Sequence, residues 1–128
     1  MKYYIEKTVS CSFDEAIFKV TEELKKEGFG VLTTINMSEK LKEKLNVDIK
    51  KYTILGACNP PAAYKAMQAE NKIGTMLPCN VIVQELDNGQ VEVAAVDPIA
   101  SMMAVENPSV ANVAIEIKER LMRVIAAL

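Results

Sequence analysis

The chain contains no histidine and no tryptophan in 128 residues. The first absence removes whole classes of chemistry. Ser-His-Asp and Cys-His catalysis need an imidazole as base, and a histidine-containing zinc site needs it as ligand. The five glycines form no phosphate-cradling loop. The seven aromatic residues, four Tyr and three Phe, are scattered and form no base-stacking platform. Charge of one sign is also missing: 15 Lys and Arg against 17 Asp and Glu leave a net charge of -2, with the signs interspersed. A non-specific nucleic-acid binder carries a basic excess on one face, so no nucleic-acid partner is expected. No apolar run approaches the roughly 18 residues of a membrane span, and Met1–Lys7 has no signal-peptide core. The expectation is a cytoplasmic protein with no membrane partner.

Cysteine is sparse. Three residues, Cys11, Cys58 and Cys79, are too few and too odd in number for a disulfide framework, and the cytosol would keep them reduced. What remains is an ordinary globular composition, 50% hydrophobic and 25% charged. A chain of this length fits one domain, residues 1–128, and buries enough surface to fold without metal or disulfides.

Tyr3 to Val9 alternates at strand spacing. Ser12-Phe13-Asp14-Glu15 reads as a capping box. It opens a helix whose core positions are Phe13, Ala16, Ile17, Val20 and Leu24, closed by Gly28. Phe29 to Ile35 is a second strand. Residues 38–45 form a short amphipathic helix over a sheet edge, with Met37, Leu41 and Leu45 on one side. Tyr52 to Cys58 is a third strand, where small Gly56 and Ala57 imply a close backbone approach. Asn59-Pro60-Pro61 suits a helix start, and residues 62–70 continue it. Residues 71–78 form a loop. Cys79 to Leu86 and Gln90 to Val96 pair as a mostly exposed hairpin around Asn88-Gly89, the favoured type I′ dipeptide. Residues 99–105 form a helical turn. The last helix opens at Asn107-Pro108-Ser109 and carries the stripe Val110, Val113, Ala114, Ile117, Leu121, Val124 and Ile125. The order βαβ(α)βαββα predicts an α+β two-layer sandwich, a mixed β-sheet with helices mainly on one face.

Two cysteines occupy similar settings. Ala57-Cys58-Asn59-Pro60 and Leu77-Pro78-Cys79-Asn80 each place Cys before Asn, beside a proline that marks a change of secondary structure. Together with Asp97-Pro98, these segments resemble the family known as domain of unknown function 302, and the resemblance runs over essentially the whole chain. It implies a compact α+β domain that dimerises. It supplies no reaction, no cofactor and no catalytic residue. The signature positions it names are Cys58, Asn59, Pro60, Pro78, Cys79, Asn80 and Asp97.

The candidate ligand or thiol site is therefore Cys58, Asn59, Cys79, Asn80 and Asp97. Cys58 precedes a helix N-terminus, which favours a thiolate, although a free cysteine is more often a small buried hydrophobe. Met102-Met103 near Asp97 offers thioether ligands for a soft metal, but methionine more often fills core gaps. No metal site and no cofactor are expected. Whether Cys58 and Cys79 meet depends on topology: a right-handed crossover puts them at opposite ends of the sheet, and an antiparallel return puts them at one end. The preferred reading is a homodimeric binding or sensor module with a small-molecule pocket near the two thiols. The alternatives are a thiol-dependent redox enzyme using Cys58 and a structural dimer. Ala111, Ile115 and Met122, off the core stripe of the last helix, and Val91 and Val93 of the hairpin are the expected dimer contacts.

Overall fold

A computed structural model describes residues 2–128. The chain runs β1 (Tyr4–Val9), α1 (Phe13–Lys26), β2 (Gly30–Asn36), α2 (Met37–Leu45), β3 (Tyr52–Cys58) and α3 (Pro60–Ala69). A 3₁₀ turn (Ile73–Met76) follows, then β4 (Cys79–Glu85), β5 (Val91–Val96), α4 (Pro98–Ser101) and α5 (Pro108–Ala126). The five strands form one sheet in the order β1-β5-β4-β3-β2. The α+β sandwich predicted from the sequence is present. Every strand pair is antiparallel rather than mixed, because the 3₁₀ turn and its flanks bring the chain back beside β3.

Alternation along the strands gives the sheet two different faces. Leu55, Ala57, Val81, Val83, Val91, Val93 and Ala95 point inward and pack against Ala16, Val20 and Leu24 of α1 and Ile117, Leu121, Val124 and Ile125 of α5. A second, smaller cluster joins Ala66, Ile73, Met102, Val110 and Ala114. The predicted stripe of α5 is buried except Val113, which is half-buried. Ile115 and Met122 lie on the exposed side of that helix.

Two expectations need correction. The β4–β5 pair is not an exposed hairpin: β1 pairs on its far side, so Val91 and Val93 are buried core residues and cannot be dimer contacts. Its loop is not a two-residue type I′ turn either. Among residues 87–89 only Gly89 has positive φ, +83°. The Gly89 N–H donates to the Leu86 carbonyl (2.9 Å) and the Leu86 N–H to the Gln90 carbonyl (2.7 Å). This is a three-residue loop, a turn closed by a glycine in the left-handed region. The extra residue lets Asn88 keep negative φ and fold its side chain back, where its Oδ1 accepts the Gln90 N–H.

The helix ends follow local chemistry. The Ser12 hydroxyl accepts the Glu15 N–H at 3.2 Å and donates to the Glu15 carboxylate. At the other end of α1, the Phe29 N–H bonds to the Leu24 carbonyl and the Gly28 N–H to the Lys25 carbonyl. That is the Schellman pair, with Gly28 at φ +84° and Phe29 folded onto the core beside Leu24. A Cβ on residue 28 would sit 3.0 Å from the Asn59 Nδ2 as well as in a disfavoured backbone region. Gly28→Ala is therefore expected to lower unfolding stability by about 1–2 kcal/mol in urea denaturation, with an unchanged m value. A neutral substitution would contradict this account of the α1 stop.

Candidate functional site

The antiparallel return decides the question left open by the sequence. Cys58 ends β3 and Cys79 begins β4, and Cys79 pairs with Ala57 in register. The two cysteines therefore share one end of the sheet. Asp97, the first residue after β5, lies at that same end, since Val81 pairs with Ala95 and continuing the register two residues brings Asp97 opposite Cys79. All three signature segments converge at the point where β3, β4 and β5 connect to helices or the 3₁₀ turn.

Asn59 is the N-cap of α3. Its Oδ1 accepts the Ala62 N–H at 3.2 Å, and its Nδ2 donates to the Glu27 carbonyl at 3.4 Å. That carbonyl also accepts from Arg120 of α5 at 3.1 Å. The Glu27 carboxylate is gripped by Arg123 Nε and Nη2 at 3.0 and 2.9 Å. These bonds hold the Glu27 carboxyl below its usual range. Asn59 and Glu27 thus tie the end of α1, the start of α3 and the middle of α5 together. Asp97 has a comparable role. It caps α4 through the Ile99 N–H (2.9 Å) and pairs with Lys118 of α5 at 2.9 Å.

The candidate residues separate into two environments. Cys58, Asn59 and Cys79 line a cavity of about 30 Å³ walled by Phe29, Ala62, Ala66, Met102 and Ile117. Asn80 faces the opposite, helix-free side of the sheet and is exposed. Asp97 is buried beside the cavity, and its neighbour Pro98 supplies the wall. Gly56 is small for the anticipated reason: a Cβ there would run into Thr33 Oγ1 and the Pro78 ring.

The cavity has a defined position in the packing. Phe29, Ala62, Cys79 and Ile117 belong to the larger core cluster, and Ala66, Met102 and Ala114 to the smaller one. It is the seam between them. Five alanines, at positions 57, 62, 63, 66 and 114, line it. Among the described residues Asn59 is the only amide or charged side chain in its wall, so the space holds one or two waters at most by size and offers them few partners. Of the methionine pair, Met102 joins the cysteines at the seam and Met103 is exposed. Among the described residues no group of three or more Cys, Asp and Glu side chains is arranged to hold a metal ion, and no helix is long and apolar enough to cross a membrane.

The thiols differ. Cys79 is 7% exposed, and burial, followed by the nearby Cys58, pushes its pKa up to about 11. Cys58 is half-buried at the strand end. Glu27, Arg120, Arg123, Lys118 and the alanine wall are absent from the sequence-derived candidates. Their charged members read as ordinary solvated helix positions, and nothing local marks the pairing of residues 93 and 96 positions apart.

The family model described as domain of unknown function DUF302 matches residues 5–128. A crystal structure of an uncharacterized conserved protein DUF302 from Bacillus stearothermophilus matches with a TM-score of 0.91 at 29% identity, over 98% of this chain and 98% of that chain. No curated protein matches.

The Cys79 thiol makes a pH-dependent contribution of known sign. An unfolded cysteine ionises near 9.0, whereas the folded one keeps its proton to about 11. Between those values the unfolded state has released a proton that the native state holds. The contribution is intact below about pH 9 and is lost as pH rises, by about 2–3 kcal/mol once pH 11 is passed. Urea unfolding across this window should show the wild type losing more stability than Cys79→Ala. Parallel losses in the two proteins would mean that the thiol is not desolvated as described.

Proposed function

This chain belongs to the DUF302 family, and on that footing we propose that it is a small homodimeric binding module whose site is the apolar seam at the cysteine end of the sheet. The observation that carries the reading is the cavity itself, lined by both signature cysteines and five alanines and free of charged side chains. A site with this lining takes an apolar group. The resting space suits a group no larger than a methyl or two, and a larger ligand enters as α3 and α4 move away from the sheet, parting the two core clusters.

The thiol-enzyme reading has less support. A cysteine nucleophile works as the thiolate and needs a cation or base beside it. The buried Cys79 holds its proton well above neutral pH, and among the described residues no charged one lines the cavity beside Cys58. The two thiols act instead as soft apolar wall atoms, a role consistent with a reducing cytoplasm.

Xenon and methane are suitable probes, since each is small enough for a cavity that suits a methyl or two and dry apolar cavities take such groups. In nuclear magnetic resonance titrations they should shift the amides of Cys58, Ala66, Cys79 and Ala114 in a saturable manner. Ala66→Val, which adds two methyl-sized groups to the seam, should remove the effect while leaving the rest of the spectrum in place. Shifts confined to other surfaces, or shifts that persist in Ala66→Val, would refute the site.

A further inference from the structure

The helices cover only one face of the sheet. On the other, the register sets Ile35, Ile54, Ile82 and Ala94 side by side across β2, β3, β4 and β5, ending on Glu6 of β1. Toward the β1 end of this row the face is hollow. It forms an open cup of about 450 Å³, within the size range of small-molecule sites and far larger than the seam. Ala94 lies at the floor of the cup and is 7% exposed, although no helix packs over it. Taller side chains, Tyr4, Glu6, Ile82 and Glu92 among them, stand around it as a wall. We propose that this cup binds a small organic cation, an ammonium group carried on an apolar or aromatic body.

Three observations point to that ligand. The first is charge. Glu6 pairs with Ala94, so Glu92 is its diagonal neighbour on the adjacent strand, with Cβ atoms about 7–8 Å apart by sheet geometry. Among the described residues no Lys or Arg lines the cup. Two carboxylates at this spacing repel each other, and one ammonium between them reaches both. The Gln84 amide donates to Glu92 Oε1 at 2.9 Å, which orients that carboxylate and leaves its second oxygen for a ligand. The second observation is an ammonium already seated at the rim. Lys2 Nζ lies 3.0 Å from the Glu6 carboxylate and 5.6 Å from the centre of the Tyr4 ring. A carboxylate beside an aromatic face is a pairing that holds organic cations. The hydrogen bond to Glu6 also keeps the Lys2 ammonium above its ordinary pKa. The Lys2–Glu6 pair is solvent-exposed, so a free ammonium displaces it at little cost. The third observation is shape. β1 and β4 are two strand spacings apart, roughly 10 Å, which gives room for an ammonium on a two-carbon arm that ends in a ring. With the charge at Glu6 and Glu92, the ring rests over Ile82 and Val96. Tyr3 packs edge to face on Tyr4, 4.9 Å between ring centres, and steadies the wall beside the charge.

The probe is phenethylammonium, with phenethyl alcohol as its neutral counterpart and methyl glucoside as an uncharged polar ligand. In nuclear magnetic resonance titrations of the whole chain, the ammonium should shift the amides of Glu6, Ile82, Glu92 and Ala94 saturably. The alcohol should bind at least about 10-fold more weakly. Glu6→Gln and Glu92→Gln keep the size of each side chain and should each raise the Kd for the ammonium about 10-fold. Lys2→Ala removes the resident ammonium and should leave the Kd unchanged or lower it by up to about fivefold. Added salt should weaken binding of the ammonium by the wild type, a readout that needs no variant. The absence of saturable shifts, equal binding of alcohol and ammonium, or binding that is indifferent to salt would overturn the proposal. So would a Kd unmoved in both folded Gln variants, or a weaker Kd in Lys2→Ala. Saturable shifts of the same amides by methyl glucoside would make the cup a carbohydrate site and overturn it equally.

Discussion

The Asn59 side chain accepts from the Ala62 N–H and donates to the Glu27 carbonyl, and these two bonds set where the helices meet at the cysteine end of the sheet. A helix start and a helix stop each leave backbone groups without partners. Here one amide serves both, with Arg120 sharing the same carbonyl and Arg123 holding the Glu27 carboxylate. The device recurs at the other end of α3. Asn107 caps α5 through the Ser109 N–H and donates its Nδ2 to the Ala69 carbonyl at 2.9 Å. α3 is thus fixed at both ends by asparagines and filled along its inner face by alanines.

That arrangement explains the seam. In the resting structure the capped ends set the height of α3 above the sheet, and Ala62, Ala63 and Ala66 are too short to close the gap beneath it. Larger side chains would merge the two core clusters and gain the burial free energy that the cavity forgoes. The fold therefore gives up some packing at the same sheet end where Cys58, Cys79 and Asp97 converge. On the opposite side of the sheet, the β4 register aligns an apolar row that the molecule's own helices leave uncovered. The two features use alternate residues of one strand: Cys79 faces the seam and Asn80 the open face.

Much of this was legible in the chain because its causes are local. Ser12-x-x-Glu15, Gly28, Asn59-Pro60 and Asn107-Pro108 each mark a helix boundary through bonds to residues two to four positions away. The period of 3.6 in the final helix named its buried stripe. The strand order was not legible. The connection at 71–78 is long enough for either topology, so the meeting of Cys58 and Cys79 stayed open. The hairpin reads as exposed in the sequence because an alternating pattern does not say whether a third strand pairs outside it. The second bond of each asparagine was equally hidden, since its acceptor lies 32 or 38 residues away.

The central claim is that the two core clusters part at the seam without the whole sheet unfolding. Local openings have their own free energies, below that of global unfolding. Native-state amide hydrogen exchange reads them directly. Ala66 and Ile73 should exchange through a low-energy opening that is insensitive to low denaturant, whereas Val81, Val93 and Leu121 should exchange only with global unfolding. Equal protection of all five amides, with one common denaturant dependence, would contradict the account.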